Sequence, residues 1–189
     1  MKYDIPAVLF AGGKSSRMGQ DKALLPFAGY PTLSEFQYSR LSKLFKKVYL
    51  SAKEDKFDFN TPVITDNYLQ SSPLIGLISV FESLPVNEIF ILSIDAPFVN
   101  EKVIEGLLDQ DKKYDAVIAK SPHGVEPLCG IYRRSILPLA KKHLEEEDHK
   151  LNNLLKIADT RFIAFEDSAA FINLNHPHEY ENALKLISP

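Results

Sequence analysis

Residues 88–94, Glu-Ile-Phe-Ile-Leu-Ser-Ile, constrain this chain more than any other stretch. Ile89, Phe90, Ile91, Leu92 and Ile94 are nearly continuous, so both faces of an extended strand there are apolar. Such a strand has to be covered above and below, as in a mostly parallel sheet held between two layers of helices. Residues 5–10, stopped by glycines, read the same way. Shorter strands are predicted at Val48–Ala52, 62–65, 116–119, 128–132 and 161–165. Apolar residues at helical spacing predict helices over Leu33–Leu44, 74–84, 134–147, Leu151–Ile157 and Pro177–Ile187. Asn100 is a predicted N-cap for a helix running to about Leu108, and Ser-Ser-Pro at 71–73 is a start signal for 74–84.

Strands alternating with helices over 189 residues predict one α/β domain, without an internal repeat or linker. A net charge of −3 argues against nucleic acid or an anionic membrane as partner. The single cysteine, Cys129, allows no internal disulfide, and Met1-Lys2-Tyr3-Asp4 lacks the order of an export signal. No apolar run approaches the roughly 20 residues of a membrane span. The expected compartment is the cytoplasm.

In a parallel sheet, ligands sit beyond the carboxyl ends of the strands. The first strand ends in Ala11-Gly12-Gly13-Lys14-Ser15-Ser16-Arg17-Met18-Gly19, followed by Gln20-Asp21-Lys22. The glycines bring backbone N–H groups close to an anion, and Arg17 and Lys22 add fixed positive charge for phosphate oxygens. A Walker loop is excluded because Val8 stands where its first glycine belongs, and the dinucleotide pattern G-x-G-x-x-G fails as well. An ordinary strand–helix loop with solvated basic residues is the competing reading. Asp95 follows the central strand, where one carboxylate suits Mg²⁺ shared with substrate phosphates. A turn aspartate is the alternative. Asp66 follows the third strand and offers acceptors to ribose hydroxyls or to base N–H groups, and a plain turn explains it equally well. Asn173 and Asn175 are two apart, so an extended backbone turns both amides to one side. Asn175 could also cap the last helix, and both roles can hold at once. The histidines His123, His143 and His149 are scattered in polar surroundings and receive no role.

Residues 9–31, LFAGGKSSRMGQDKALLPFAGYP, resemble the signature L-x-A-G-G-x-S-x-R-M-G-x-D-K-x-L of the molybdenum cofactor guanylyltransferase (MobA-type) family of nucleotidyltransferases. Further segments resemble that family in order. They are Thr65-Asp66-Asn67, the Pro73-Leu74-Ile75-Gly76 loop, Ser93-Ile94-Asp95-Ala96-Pro97, Glu126-Pro127-Leu128 with Tyr132, and Phe171-Ile172-Asn173-Leu174-Asn175-His176-Pro177. Departures are Ser51 for the usual Asn, Ser72 for a glycine, Ile75 for alanine, Glu126 for Gln or His, and His176 for threonine.

The resemblance implies a single-domain, Rossmann-like three-layer αβα fold over 1–189, with a nucleotide half at about 1–100 and an acceptor half at about 101–189. It implies transfer of GMP from GTP to molybdopterin with Mg²⁺, giving the guanine dinucleotide cofactor and pyrophosphate. The implied nucleotide site is Phe10, Ala11, Gly12, Gly13, Lys22, Ser51, Asp66, Gly76 and Asp95. Arg17, Lys22 and Asp95 are the implied catalytic residues, with Asp95 on the metal. Glu126, Asn173 and Asn175 are implied on the acceptor. The implied partners are GTP, the molybdopterin cofactor, and proteins that deliver the cofactor or mature molybdoenzymes. A cytidylyl- or sugar-phosphate transferase of the same fold, or a non-catalytic cofactor carrier, is the alternative.

Overall fold

The computed structural model describes residues 2–12 and 19–187. Seven strands form one sheet: β1 (Ala7–Phe10), β2 (Val48–Ala52), β3 (Val63–Thr65), β4 (Glu88–Ser93), β5 (Ala116–Ser121), β6 (Gly124–Arg133) and β7 (Thr160–Ala164). Their order is β3-β2-β1-β4-β6-β5-β7. All run parallel except β6, which is antiparallel to both neighbours. The helices are α1 (Leu33–Leu44), α2 (Pro73–Ser83), α3 (Glu101–Leu108), α4 (Leu137–Glu145), α5 (Leu151–Ile157) and α6 (Pro177–Ile187).

The double-sided apolar strands do what their composition requires. Leu9 of β1 and Phe90 and Leu92 of β4 join Leu33 and Leu41 of α1 and Val103, Ile104 and Leu107 of α3 in one buried cluster. Their sequence neighbours Val8, Phe10, Ile89 and Ile91 join α2, α4 and α5 in a second cluster on the opposite face. Two cores on one sheet make the three-layer αβα arrangement. Thr32, Ser72 and Asn100 cap α1, α2 and α3, each side-chain oxygen accepting from a backbone N–H three residues on.

Two elements differ from expectation. The strand expected over 128–132 begins at Gly124, because only Pro122 and His123 separate it from Ser121 and so short a link forces a hairpin. The helix expected over 134–147 is a 3-10 turn at Arg134–Ile136 followed by α4. Pro138 has no N–H to donate in the first turn, and Glu147 adopts a left-handed backbone (φ 58°) that ends the helix. No helix among the described residues is long and apolar enough to cross a membrane.

Candidate functional site

The strand order reverses at β1, whose two neighbours β2 and β4 lie on opposite sides. The chain leaving β1 therefore opens a crevice at the carboxyl ends of the parallel strands. Two cavities lie there. The first, about 110 Å³, is lined by Phe10 and Gly12 after β1, Ser51 and Ala52 of β2, Asp66 after β3, and Ser72, Pro73 and Gly76 at the start of α2. The second, about 220 Å³, is lined by Ser93 and Asp95 after β4, Glu126 and Pro127 of β6, and Phe171, Asn173 and Asn175 before α6. Leu128 lines both and is their common wall. Neither alone reaches the roughly 300 Å³ at which small-ligand pockets begin, and together they do.

At the second cavity Lys22 is ion-paired with Asp95, their side chains 18% and 16% exposed. Lys22 Nζ also donates to Asn175 Oδ1 at 3.1 Å, and Ser93 Oγ donates to Asp95 Oδ1 at 2.5 Å. Residues far apart in sequence are thus gathered around one carboxylate. The backbone follows suit: Leu174 N–H donates to the Asp95 carbonyl at 2.9 Å, which fastens the asparagine segment to the turn after β4. Asn175 does not cap α6. Glu179 Oε2 accepts from the N–H groups of Asn175 and His176 at 2.7 and 2.8 Å, which leaves the Asn175 amide to the cavity.

Lys56 Nζ donates to the Ala11 carbonyl at 3.1 Å and pairs with Asp21. Asp21 Oδ1 in turn accepts from Ala23 N–H at 3.0 Å, capping the short 3-10 turn at Lys22–Leu24 that presents Lys22. Gly13 and Arg17, expected at the phosphates, lie outside the described residues.

Around the first cavity the Asp66 carboxyl is pushed up in pKa by burial, against a hydrogen bond from Ser71 Oγ (3.2 Å) and the charge of Lys53. Gly76 is needed for space. A Cβ there would lie 3.0 Å from Phe10 Cε2 and 3.4 Å from Ser51 Oγ, both cavity residues. Gly76→Ala is therefore expected to press the Phe10 ring towards the cavity and to weaken binding of a ligand held there about tenfold, the scale of one extra methyl in a fitted pocket. Equilibrium titration with nucleotide checks it.

His149 shows what sequence spacing hides. Its Nδ1 lies 3.0 Å from Ser72 Oγ, at the rim of the first cavity and across 77 positions of chain. Ser72, where the resembled motif has glycine, thus brings a partner of its own. His143, expected in polar surroundings, is buried on α4 instead.

β6 shapes the common wall. Ile118 pairs with Gly130 but the next residue, Ala119, pairs with Glu126. The stretch between is a bulge, fastened by Tyr132 OH donating to the Pro127 carbonyl at 2.6 Å. Glu126 Oε1 accepts from Ser121 Oγ at 2.7 Å, so its charge has a donor at the cavity edge. Burial pushes the Cys129 thiol up in pKa, which makes it a core group rather than a nucleophile.

Among the described residues no group of three or more His, Cys, Asp or Glu side chains is placed to hold a metal ion. Beside the Lys22 ammonium, which cannot ligate a cation, the groups described near Asp95 offer oxygens: its own carboxylate, the Ser93 hydroxyl and the Asn175 amide oxygen. That set suits a hard cation which takes one or two carboxylates and completes its shell with phosphate and water.

A mostly parallel sheet covered by helices on both faces, with a crevice where its strand order reverses and a lysine–carboxylate pair at one of two adjoining cavities, is the α/β nucleotidyltransferase fold. The family model for the MobA-like NTP transferase domain matches residues 7–162, and the chain belongs to that family. It is 40% identical over 181 residues to the molybdenum cofactor guanylyltransferase of Campylobacter jejuni (serotype O:6, strain 81116), covering 94% of each chain. To that of Helicobacter pylori strain J99 it is 37% identical over 190 residues, covering 97% of this chain and 90% of the other. Molybdopterin-guanine dinucleotide biosynthesis protein A from Archaeoglobus fulgidus superimposes with a TM-score of 0.84 at 20% identity, over 96% of this chain and 98% of that one.

Proposed function

We propose that the protein transfers GMP from GTP to molybdopterin, releasing pyrophosphate and forming the guanine dinucleotide cofactor. The observation that carries this is the meeting of Lys22, Asp95 and Asn175 at the second cavity, which shares its Leu128 wall with the first. The nucleotide occupies the cavity of the amino-terminal half, against Gly12, Ser51, Asp66 and Gly76. The acceptor occupies the other, against Glu126, Asn173 and Asn175. The proposed halves overlap at this wall: Leu128 reaches the first cavity, and Ser93, Asp95, Ala96 and Val99 line the second.

An acceptor phosphate is ionised at neutral pH, so its oxygen attacks the α-phosphorus without a general base. A new P–O bond forms, the bond to the bridging oxygen breaks, and pyrophosphate leaves with the electron pair. Lys22 turns from Asp95 to the phosphates and offsets charge on the five-coordinate centre. Arg17, with the backbone of Ala11 to Gly13, steadies the departing groups. Asp95, with Ser93 and Asn175, would hold Mg²⁺, which supplies Lewis-acid neutralisation of phosphate charge when bound.

Asp66 gives this reading a pH signature. As a carboxylate it accepts from guanine N–H groups, and once protonated it loses that capacity. Its raised pKa means that, as pH falls, the acceptor is lost earlier than an ordinary aspartate would lose it. GTP affinity is expected to weaken with that loss, and Asp66→Asn to remove that part of the pH dependence. Parallel titrations of the two proteins from neutral to acid pH check it, and identical profiles would detach Asp66 from the base.

The deciding experiment is label transfer from α-labelled GTP or CTP to purified molybdopterin with Mg²⁺. Product from GTP alone is the expected result. Product from CTP alone moves the protein to cytidylyl transfer, and failure with both in a folded, nucleotide-binding protein refutes the proposed acceptor.

A further inference from the structure

Helix α1 carries polar side chains where it faces the core. Ser34 and Gln37 are fully buried, three apart on the helix, and Arg40 follows after three more. Buried polar groups are costly unless they are bonded, so where their bonds go is informative. Ser34 Oγ donates to the Ala23 carbonyl at 2.5 Å, one residue beyond Lys22. Gln37 Nε2 donates to the Ile94 carbonyl at 3.3 Å, one residue before Asp95. Arg40 donates to the Val99 carbonyl, at the far end of the same turn, and through Nε and Nη2 to Gln37 Oε1 at 3.1 and 2.6 Å.

The Gln37 amide has one orientation in this network. Arginine only donates and a carbonyl only accepts, so the amide oxygen must face Arg40 and the nitrogen Ile94. The guanidinium rests on carbonyl and amide oxygens, and burial lowers its pKa to about 10. Apolar residues such as Leu33 and Leu41 pack the rest of this buried face.

We infer that Ser34, Gln37 and Arg40 are positioning residues: one rigid helix holds the backbone beside Lys22 and the backbone beside Asp95, and so sets the separation of the two reacting side chains. One helical turn is a stiff spacer, and its two anchor points, Ser34 and Gln37, are each hydrogen-bonded to a carbonyl adjacent to the site. None of the three side chains lines either cavity. The inference rests on the reading of Lys22 and Asp95 as the reacting pair.

Gln37→Glu separates this role from plain stability. The glutamate keeps the oxygens that Arg40 needs and adds an ion pair, but it has no N–H for the Ile94 carbonyl. The expected result is a melting temperature lowered by a few degrees as the Ile94 carbonyl loses its donor, GTP affinity within about twofold, and a kcat lower by about 30- to 100-fold, the scale of a slightly misplaced reacting group. Ser34→Ala, which removes one hydroxyl, is the second variant, and its kcat is expected to fall about tenfold with the same unchanged affinity. Hydrogen exchange gives a readout independent of turnover. The Leu174 N–H is bonded to the Asp95 carbonyl, and its protection is expected to drop at least about tenfold in Gln37→Glu as the turn loosens. Wild-type kcat together with wild-type Leu174 protection would overturn the inference. Normal turnover in Asp95→Ala would instead sink the catalytic reading, and the exchange measurement would still decide whether α1 holds the turn.

Discussion

Asp95→Ala is expected to lower GMP transfer by about a thousandfold or more while the protein stays folded, since it removes charge organisation at the phosphorus rather than packing. The side chain borders a cavity, and the backbone carbonyl that fastens Leu174 survives the substitution. Lys22 loses its ion-pair partner, so nucleotide binding without metal should be retained or slightly tighter. Pyrophosphate release, nucleotide titration and a thermal melt are measured on one preparation. A kcat within about tenfold of wild type would remove Asp95 from the reaction centre.

Gly130→Ala is expected to cost stability rather than chemistry. A Cβ at Gly130 would lie 2.5 Å from the Val117 carbonyl oxygen and 2.6 Å from Ile118 Cδ1. The oxygen belongs to the neighbouring strand, so β5 has to move rather than a side-chain tip. The expected loss is about 3 kcal/mol, at the upper end of the cost of overpacking a core. That is a large part of the roughly 5–15 kcal/mol that holds a domain together. Urea unfolding followed by circular dichroism measures it, and a loss below about 0.5 kcal/mol would mean that the two strands part easily.

The central strands were legible because burial on both faces leaves a nearly unbroken apolar run, as at residues 88–94. Helix starts were legible where a capping residue stood before the apolar pattern, as at Asn100 and Ser72. The first half of β6 was not. Val125 is the one strand former there, flanked by Gly124, Glu126 and Pro127, which are depleted in strands, and the pairing of Gly124 to Glu126 follows from a two-residue hairpin link. For the site, the resemblance brought Phe10, Ser51, Asp66 and Gly76 to one list, and the fold places all four on one cavity. Glu126, Asn173, Asn175 and Asp95 likewise share the other. What escaped the sequence were contacts made through tertiary distance alone. Gln37 and Arg40 look like ordinary polar residues of an amphipathic helix, and His149 like a loop residue, until the carbonyls and hydroxyl they meet are known.

The reversed strand β6 has a consequence for how this enzyme family can diversify. Because it runs against its neighbours, its opening residues arrive at the carboxyl ends of β4 and β5, where the chemistry is. Pro127 and Leu128 pair with neither neighbour, so the wall between the cavities stands outside the hydrogen-bonded ladders. Replacing those side chains would cost no sheet pairing and would leave the glycine loop and Asp66 untouched. At Pro127, which lines the second cavity alone, a lineage could therefore change the molecule that receives the nucleotide while keeping the nucleotide itself, whereas a change at Leu128 is felt in both cavities.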